Sequence, residues 1–144
     1  MHKLGPEDLS ELLEQPLVAV LATYRKDGGV LLSPVWHQWR DGGFEVAVYS
    51  GDIKVKHLRR DPRASIVVYE HEPPYRGIEV RGEVSLVPGG GLDAVASMAR
   101  RYLGPERGAA YVESTSAADT VLVRLEPGTL RGWDFADDMS LSSS

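Results

Sequence analysis

From Leu17 to Thr23 the chain is apolar and rich in β-branched side chains, a pattern that predicts a short buried strand. Asp27-Gly28-Gly29 then supplies a tight turn, and Val30 to Trp39 predicts the returning strand. A second turn at Asp41-Gly42-Gly43 leads into Phe44 to Tyr49, which alternates as Phe, Glu, Val, Ala, Val, Tyr. Three consecutive antiparallel strands of this kind make a meander. Upstream, Pro6 opens a helix to about Gln15, with Glu7 and Asp8 suited to its positive end. Leu9, Leu12 and Leu13 form its apolar stripe, and Pro16 ends it.

After Tyr49 the pattern changes. Asp52 has the chemistry of a helix cap, and Ile53 to Arg60 predicts a short basic helix that stops before Pro62. Strand character returns at Arg63 to Glu70 and, past a loop with two prolines, at Gly77 to Val87. Leu92 to Leu103 has helical spacing, with a second helical piece from Pro105 to about Glu113. Asp119 to Leu125 and Leu130 to Phe135 supply the last strands. Six or seven strands with inserted helices favour a closed small barrel, which removes exposed edges. The expectation is therefore a single mostly-β (α+β) domain over 1–144, with its core at about 7–135 and a flexible tail at 136–144.

Composition narrows the function. A net charge of −5 argues against a nucleic-acid or anionic-membrane partner, so any bound anion needs a local basic cluster. With no cysteine there is no disulfide, thiolate metal site or cysteine nucleophile, which fits a cytoplasmic protein. No apolar run approaches the ~20 residues of a membrane span, and the N-terminus has no hydrophobic signal core. The four histidines, His2, His37, His57 and His71, show no metal-ligand spacing, and no nucleophile elbow is present. His57 is expected on the surface, and no catalytic residue is assigned.

Three segments could carry chemistry. In Tyr49 to Arg63 a strand delivers the chain to Ser50 and a helix begins at once. Free N–H groups at that start, the Ser50 hydroxyl, Lys54 and Lys56 could hold a phosphate. The alternative is a solvated basic face. Against it, cations are disfavoured at the positive end of a helix unless an anion compensates. In Ser33-Pro34-Val35-Trp36 the proline marks an edge or bulge whose free main-chain groups could meet a planar polar ring. The plainer reading is an exposed Ser33 and a packed Trp36. In Pro73-Pro74-Tyr75-Arg76, leading into Gly77-Ile78-Glu79-Val80, an aromatic and a cation sit at the mouth of a strand. Tyr75 could stack on a ligand and Arg76 meet an anion, or the loop is only a rigid turn. With no nucleophile or metal in view, a cofactor is left to supply redox chemistry.

Taken together, Val20-Leu21-Ala22-Thr23, Ser33 to Trp36, Lys54-Val55-Lys56-His57-Leu58-Arg59-Arg60-Asp61-Pro62-Arg63, Pro73 to Arg76 and Glu79-Val80-Arg81-Gly82 resemble the split-barrel flavoproteins related to pyridoxamine 5′-phosphate oxidase. The nearer likeness is to the branch using the deazaflavin coenzyme F420. The resemblance implies a six-stranded antiparallel split β-barrel of the FMN-binding type, with peripheral helices and two cofactor clefts at a homodimer interface. It implies Lys54 at the phosphate, with Ser50 and Lys56 beside it, and Ser33 to Trp36 along the ring. Gly77 to Val80 would approach from a neighbouring strand or the partner subunit. His57 stands where relatives carry asparagine, and Trp133 would either cap the cleft or pack in the core. The implied reaction is hydride transfer between reduced F420 and a small unsaturated organic substrate. An FMN-dependent oxidase or reductase, a cofactor-storage protein and a ligand-free barrel are the rivals. The acidic tail of F420 would call on Arg59 and Arg60, or Arg76.

Overall fold

A computed structural model describes residues 4–136, and the apolar run at Leu17 settles there into strand β1 (Ala19–Tyr24). The glycine turn returns the chain as β2 (Val30–Val35), in register from Tyr24 opposite Val30 to Ala19 opposite Val35. The single strand expected from Val30 to Trp39 is broken. After Val35 the chain changes partner, and β3 (Gln38–Arg40) pairs with β4 (Gly43–Tyr49) instead. The break has a physical cause: Trp36 turns onto a helix on one side while His37 is drawn fully into the interior on the other.

Helix α1 (Ser10–Glu14) follows a 3-10 turn over Pro6–Leu9, and α2 (Ile53–Arg60) links β4 to β5 (Arg63–Tyr69). The remaining elements are β6 (Gly77–Pro88), α3 (Leu92–Leu103), α4 (Pro105–Glu113), β7 (Thr120–Leu125) and β8 (Thr129–Trp133). Eight strands occur among the described residues, against the six or seven read from the sequence and the six implied by the resemblance, because the strand expected over Val30 to Trp39 is split into β2 and β3. The expected tail falls largely beyond the described residues.

The strands run β2-β1-β5-β6-β7-β4-β3, with β8 also on β6. β6 holds this curled sheet together. Its first half pairs with β5 and β8, and Val84 to Pro88 pairs with β7. Between the halves sits Gly82, where a Cβ would lie 2.4 Å from the Glu126 carbonyl oxygen. Only a residue without a side chain lets the strand bend past the β7–β8 connection there. The sheet curls around one core with β2 and β3 as its two ends, and the architecture is a split barrel. Alternating inward residues fill it: Leu21, Phe44, Val46, Ile66, Val68, Ile78, Val80 and Val123 are all buried, with Leu9 and Leu12 closing one side. No helix among the described residues is long and apolar enough to cross a membrane.

Candidate functional site

At the split, the end strands β2 and β3 each have a strand partner on one side only. β2 has β1 on one side only, so the edge position expected for a strand containing Pro34 is met, without a bulge. Antiparallel alternation turns the N–H and C=O of every second β2 residue away from β1. Leu32 (65 % exposed) and Pro34 face outward, and Val35 is half-buried. Ser33 opposes Leu21 and points into the barrel, buried, so its hydroxyl is not on the outer surface as the plainer sequence reading had it. The Trp36 indole stacks on Tyr102 of α3, with centroids 5.0 Å apart and planes at 5°, and meets Tyr111 of α4 at 5.3 Å. Trp36 is a packed aromatic, and only its backbone remains available at the edge.

α2 begins where β4 ends. Asp52 caps it as expected, accepting from the Lys54 amide at 2.9 Å. Its second carboxylate oxygen takes the Lys54 ammonium at 2.8 Å, and that side chain is 14 % exposed. Burial pushes the Asp52 carboxyl upward, but the Lys54 ammonium and amide pull harder, and its pKa is lowered overall. The start of the helix offers fewer free donors than the sequence suggested. The Ser50 amide donates to Asp119, that of Asp52 to Tyr49 and that of Val55 to Asp52. Lys56 is exposed. His57, expected on the surface, is instead buried (5 % exposed), with Nδ1 3.0 Å from the Thr23 hydroxyl of β1. Burial, then the guanidiniums of Arg60 and Arg25, lower its pKa. His57 thus pins α2 against β1, with its Nδ1 taken up by the Thr23 hydroxyl.

The third segment is arranged differently. Tyr75 has φ 56°, a left-handed conformation that costs a non-glycine residue about 1 kcal/mol, and the residue is 41 % exposed. Arg76 is not free for an anion: it grips Glu70 through two bonds of 2.8 Å each, and Gln15 adds a third to the same carboxylate. This fork holds the Glu70 carboxyl down to about 2. Arg60 donates to the Tyr24 carbonyl at 2.6 Å, whereas Arg59 makes no such bond among the described residues. Ile78 and Val80 point into the core. Glu79 faces outward between Arg81 and Arg131, at 3.4 and 3.7 Å. A Cβ on Gly77 would fall 2.2 Å from Trp133 Cζ2, so the indole lies directly on the backbone of β6. Arg131 stacks on that ring at 4.8 Å. Trp133 is an outer-face aromatic of β8, outside the main core.

The predicted residues therefore fall into two groups within one chain. β1 and β5 lie between the β2 edge and the β6–β8 group, a lateral separation of about 14 Å for three strand spacings. Three surface recesses, of about 260, 390 and 480 Å³, are lined by neither the β2 edge nor the start of α2. No group of three or more metal-ligating side chains occurs among the described residues. Sequence reasoning missed Tyr102 and Arg101 of α3, which meet the β2–β3 turn from 65 and 64 residues away. It also missed that the capping Asp52 would hold the Lys54 side chain as well as its amide.

The open edge of β2, the basic helix packed on the adjacent β1 and the bent β6 define a split-barrel protein of the flavin-binding type. The family described as pyridoxamine 5′-phosphate oxidase matches residues 6–134, and the chain belongs to it. Among solved structures, a conserved hypothetical protein from Mycobacterium tuberculosis is 24% identical with a TM-score of 0.78, over 94% of this chain and 88% of its own. An F420 reductase is 28% identical with a TM-score of 0.71, over 84% of this chain and 94% of its own. An FAD-binding protein from Mesorhizobium loti shares 22% identity at a TM-score of 0.65, over 91% of this chain and 93% of its own. No curated protein matches the sequence.

Proposed function

We propose that this chain is an F420-dependent reductase acting on a small unsaturated organic substrate, and that it works as a homodimer. The observation that carries the reading is the unpaired edge of β2, next to the strand β1 on which α2 packs, with a nearly buried lysine in the first turn of that helix. The 28% identity to an F420 reductase favours the deazaflavin over FMN. A flat heterocycle with polar edges fits such a strand, because outward main-chain groups can pair with ring atoms without cost to the sheet. Lys54 and Lys56 suit a phosphate.

When bound, reduced F420 supplies the two electrons and the hydrogen that reach the substrate. The chain binds and orients. The β2 edge sets the plane of the ring, Lys54 anchors its phosphate end, and the exposed Leu32 keeps water from one flank. Pro34, Val35 and Trp36 carry no acid, so the strand that orients the ring supplies no proton to the product. A second copy of the chain would bring Gly77, Glu79 and Trp133 over this edge, which the same copy cannot do across β1 and β5. Such a dimer would also cover the outward aliphatics Val30 and Leu32, 48 % and 65 % exposed.

Titration of the purified protein with F420, followed by cofactor fluorescence, and with FMN, followed by absorption, tests the reading. The expected results are F420 binding at least tenfold tighter than FMN, a tenfold or greater loss in Lys54→Ala, and a dimer by sedimentation. Protein that purifies yellow with flavin supports the FMN reading instead. Tight F420 binding without consumption of the reduced form by any unsaturated acceptor would make it a storage protein. Unchanged affinities in Lys54→Ala would remove the phosphate site.

A further inference from the structure

Two consecutive side chains of α3 reach the end of the β1–β2 ladder. The register that pairs Ala19 with Val35 continues to Leu17 opposite His37, beyond both strands. There no direct ladder bond closes. The Tyr102 hydroxyl donates to the Leu17 carbonyl at 2.6 Å and accepts from the His37 amide at 3.1 Å. One oxygen thus stands between an N–H and a C=O that would otherwise meet at about 2.9 Å, holding the strand ends apart. Arg101 takes the other main-chain group of His37, donating to its carbonyl at 2.8 Å. The same guanidinium donates to the carbonyls of Gln15 at 2.6 Å and Leu13 at 3.3 Å. Both main-chain polar groups of His37 are therefore held by α3. Its imidazole is at most a weak anchor: the Leu17 carbonyl acts on the ring, but neither ring nitrogen makes a hydrogen bond of good geometry.

This contact also sets the phase of the edge. With Leu17 and His37 turned toward each other, alternation makes Ala19–Val35 and Leu21–Ser33 the bonded pairs. The main-chain groups of Leu32, Pro34 and Trp36 then face away from β1, on the open side. Pro34, which has no N–H, falls where the ladder does not need one.

We infer that Tyr102, supported by Arg101, is a positioning residue for the cofactor edge. It fixes how far β2 stands from β1 at its end, and so where the outward groups of Pro34 and Trp36 lie. The inference rests on reading the β2 edge as the cofactor site. The stack of Trp36 on the Tyr102 ring links the same two parts through their side chains.

Tyr102→Phe keeps the ring stack and removes the hydroxyl. Two measurements read its effect: backbone amide NMR without cofactor, and affinity for F420 and FMN by fluorescence and absorption. The expected result is shifted amide resonances at Leu32, Trp36 and His37, with at least tenfold weaker cofactor binding at a temperature where the variant is fully folded. A purely stabilising role would lower the unfolding midpoint and leave that affinity intact. Unmoved amides at Leu32 and Trp36, or affinities within twofold of wild type, would overturn the inference. If wild type binds neither cofactor, the proposed function fails, and the amide comparison alone decides whether Tyr102 sets the edge. Should Tyr102→Phe not fold, Arg101→Lys, which loses the forked contacts to His37 and Gln15, is read by the same criteria.

Discussion

Asp52 and Lys54 offer a sharp test of the anion site, because the lysine proposed to hold a phosphate already holds a carboxylate. Asp52→Asn separates the two jobs of that side chain. Asparagine caps a helix about as well as aspartate, so the bond to the Lys54 amide survives. The negative charge at 2.8 Å from the ammonium is lost. In the folded state this removes a partly exposed ion pair, a contribution of about 0.2–1 kcal/mol, and a favourable charge at the positive end of α2, a further 0.3–1 kcal/mol or so. A small loss of stability is expected.

Binding moves the other way. A phosphate arriving at Lys54 must compete with the Asp52 carboxylate and is repelled by it. For like unit charges about 5 Å apart in an effective dielectric of about 40, the repulsion is roughly 1.5 kcal/mol, before salt reduces it. Freed of this, Asp52→Asn should bind F420, or FMN if that is the cofactor, about tenfold more tightly. Fluorescence titration at low and moderate salt, beside wild type and Lys54→Ala, measures the change, and the gain should shrink as salt rises. Affinity that is unchanged or weaker in Asp52→Asn would show that the phosphate does not sit at Lys54, and the argument from this helix would fall.

Two further outcomes follow from groups away from that helix. Burial, reinforced by Arg101 and only partly opposed by the Leu17 carbonyl, lowers the His37 imidazole from 6.5 to about 3. The unfolded chain therefore takes up this proton first: stability is intact above pH 6.5 and is lost as pH falls toward 3, by roughly 4–5 kcal/mol in the limit. His57, also lowered, acts with the same sign. Denaturant midpoints between pH 7 and 4.5 should fall clearly in wild type and much less in His37→Phe; equal slopes would refute the assignment. Gly77→Ala places a methyl in the Trp133 ring, so the indole must leave the face of β6. Trp133 emission should shift to the red, judged against Trp133→Phe, with a loss of about 1–3 kcal/mol, and an unshifted spectrum would show that β8 yields instead.

The local features were legible in the chain because neighbours in sequence create them. Asp52 caps α2 through the amide two residues on, the glycine turns at Gly28 and Gly42 adopt positive φ, and the pleat puts Phe44, Val46 and Val48 together in the core. The residues around Lys54 and Pro34 could be singled out for the same reason, since a cation at a helix start and a proline in a strand are oddities visible one residue at a time. Tertiary structure decided the rest, through contacts that no local pattern encodes. His57 went inward because Thr23 of β1 offered its hydroxyl, and Arg76 was committed to Glu70 rather than left for a ligand. The strand beginning at Val30 broke after Val35 because α3, more than sixty residues later, supplied a ring for Trp36 and took both main-chain groups of His37. Short-range propensity fixes which segments pair or coil; which side chains meet depends on how distant segments close around one interior.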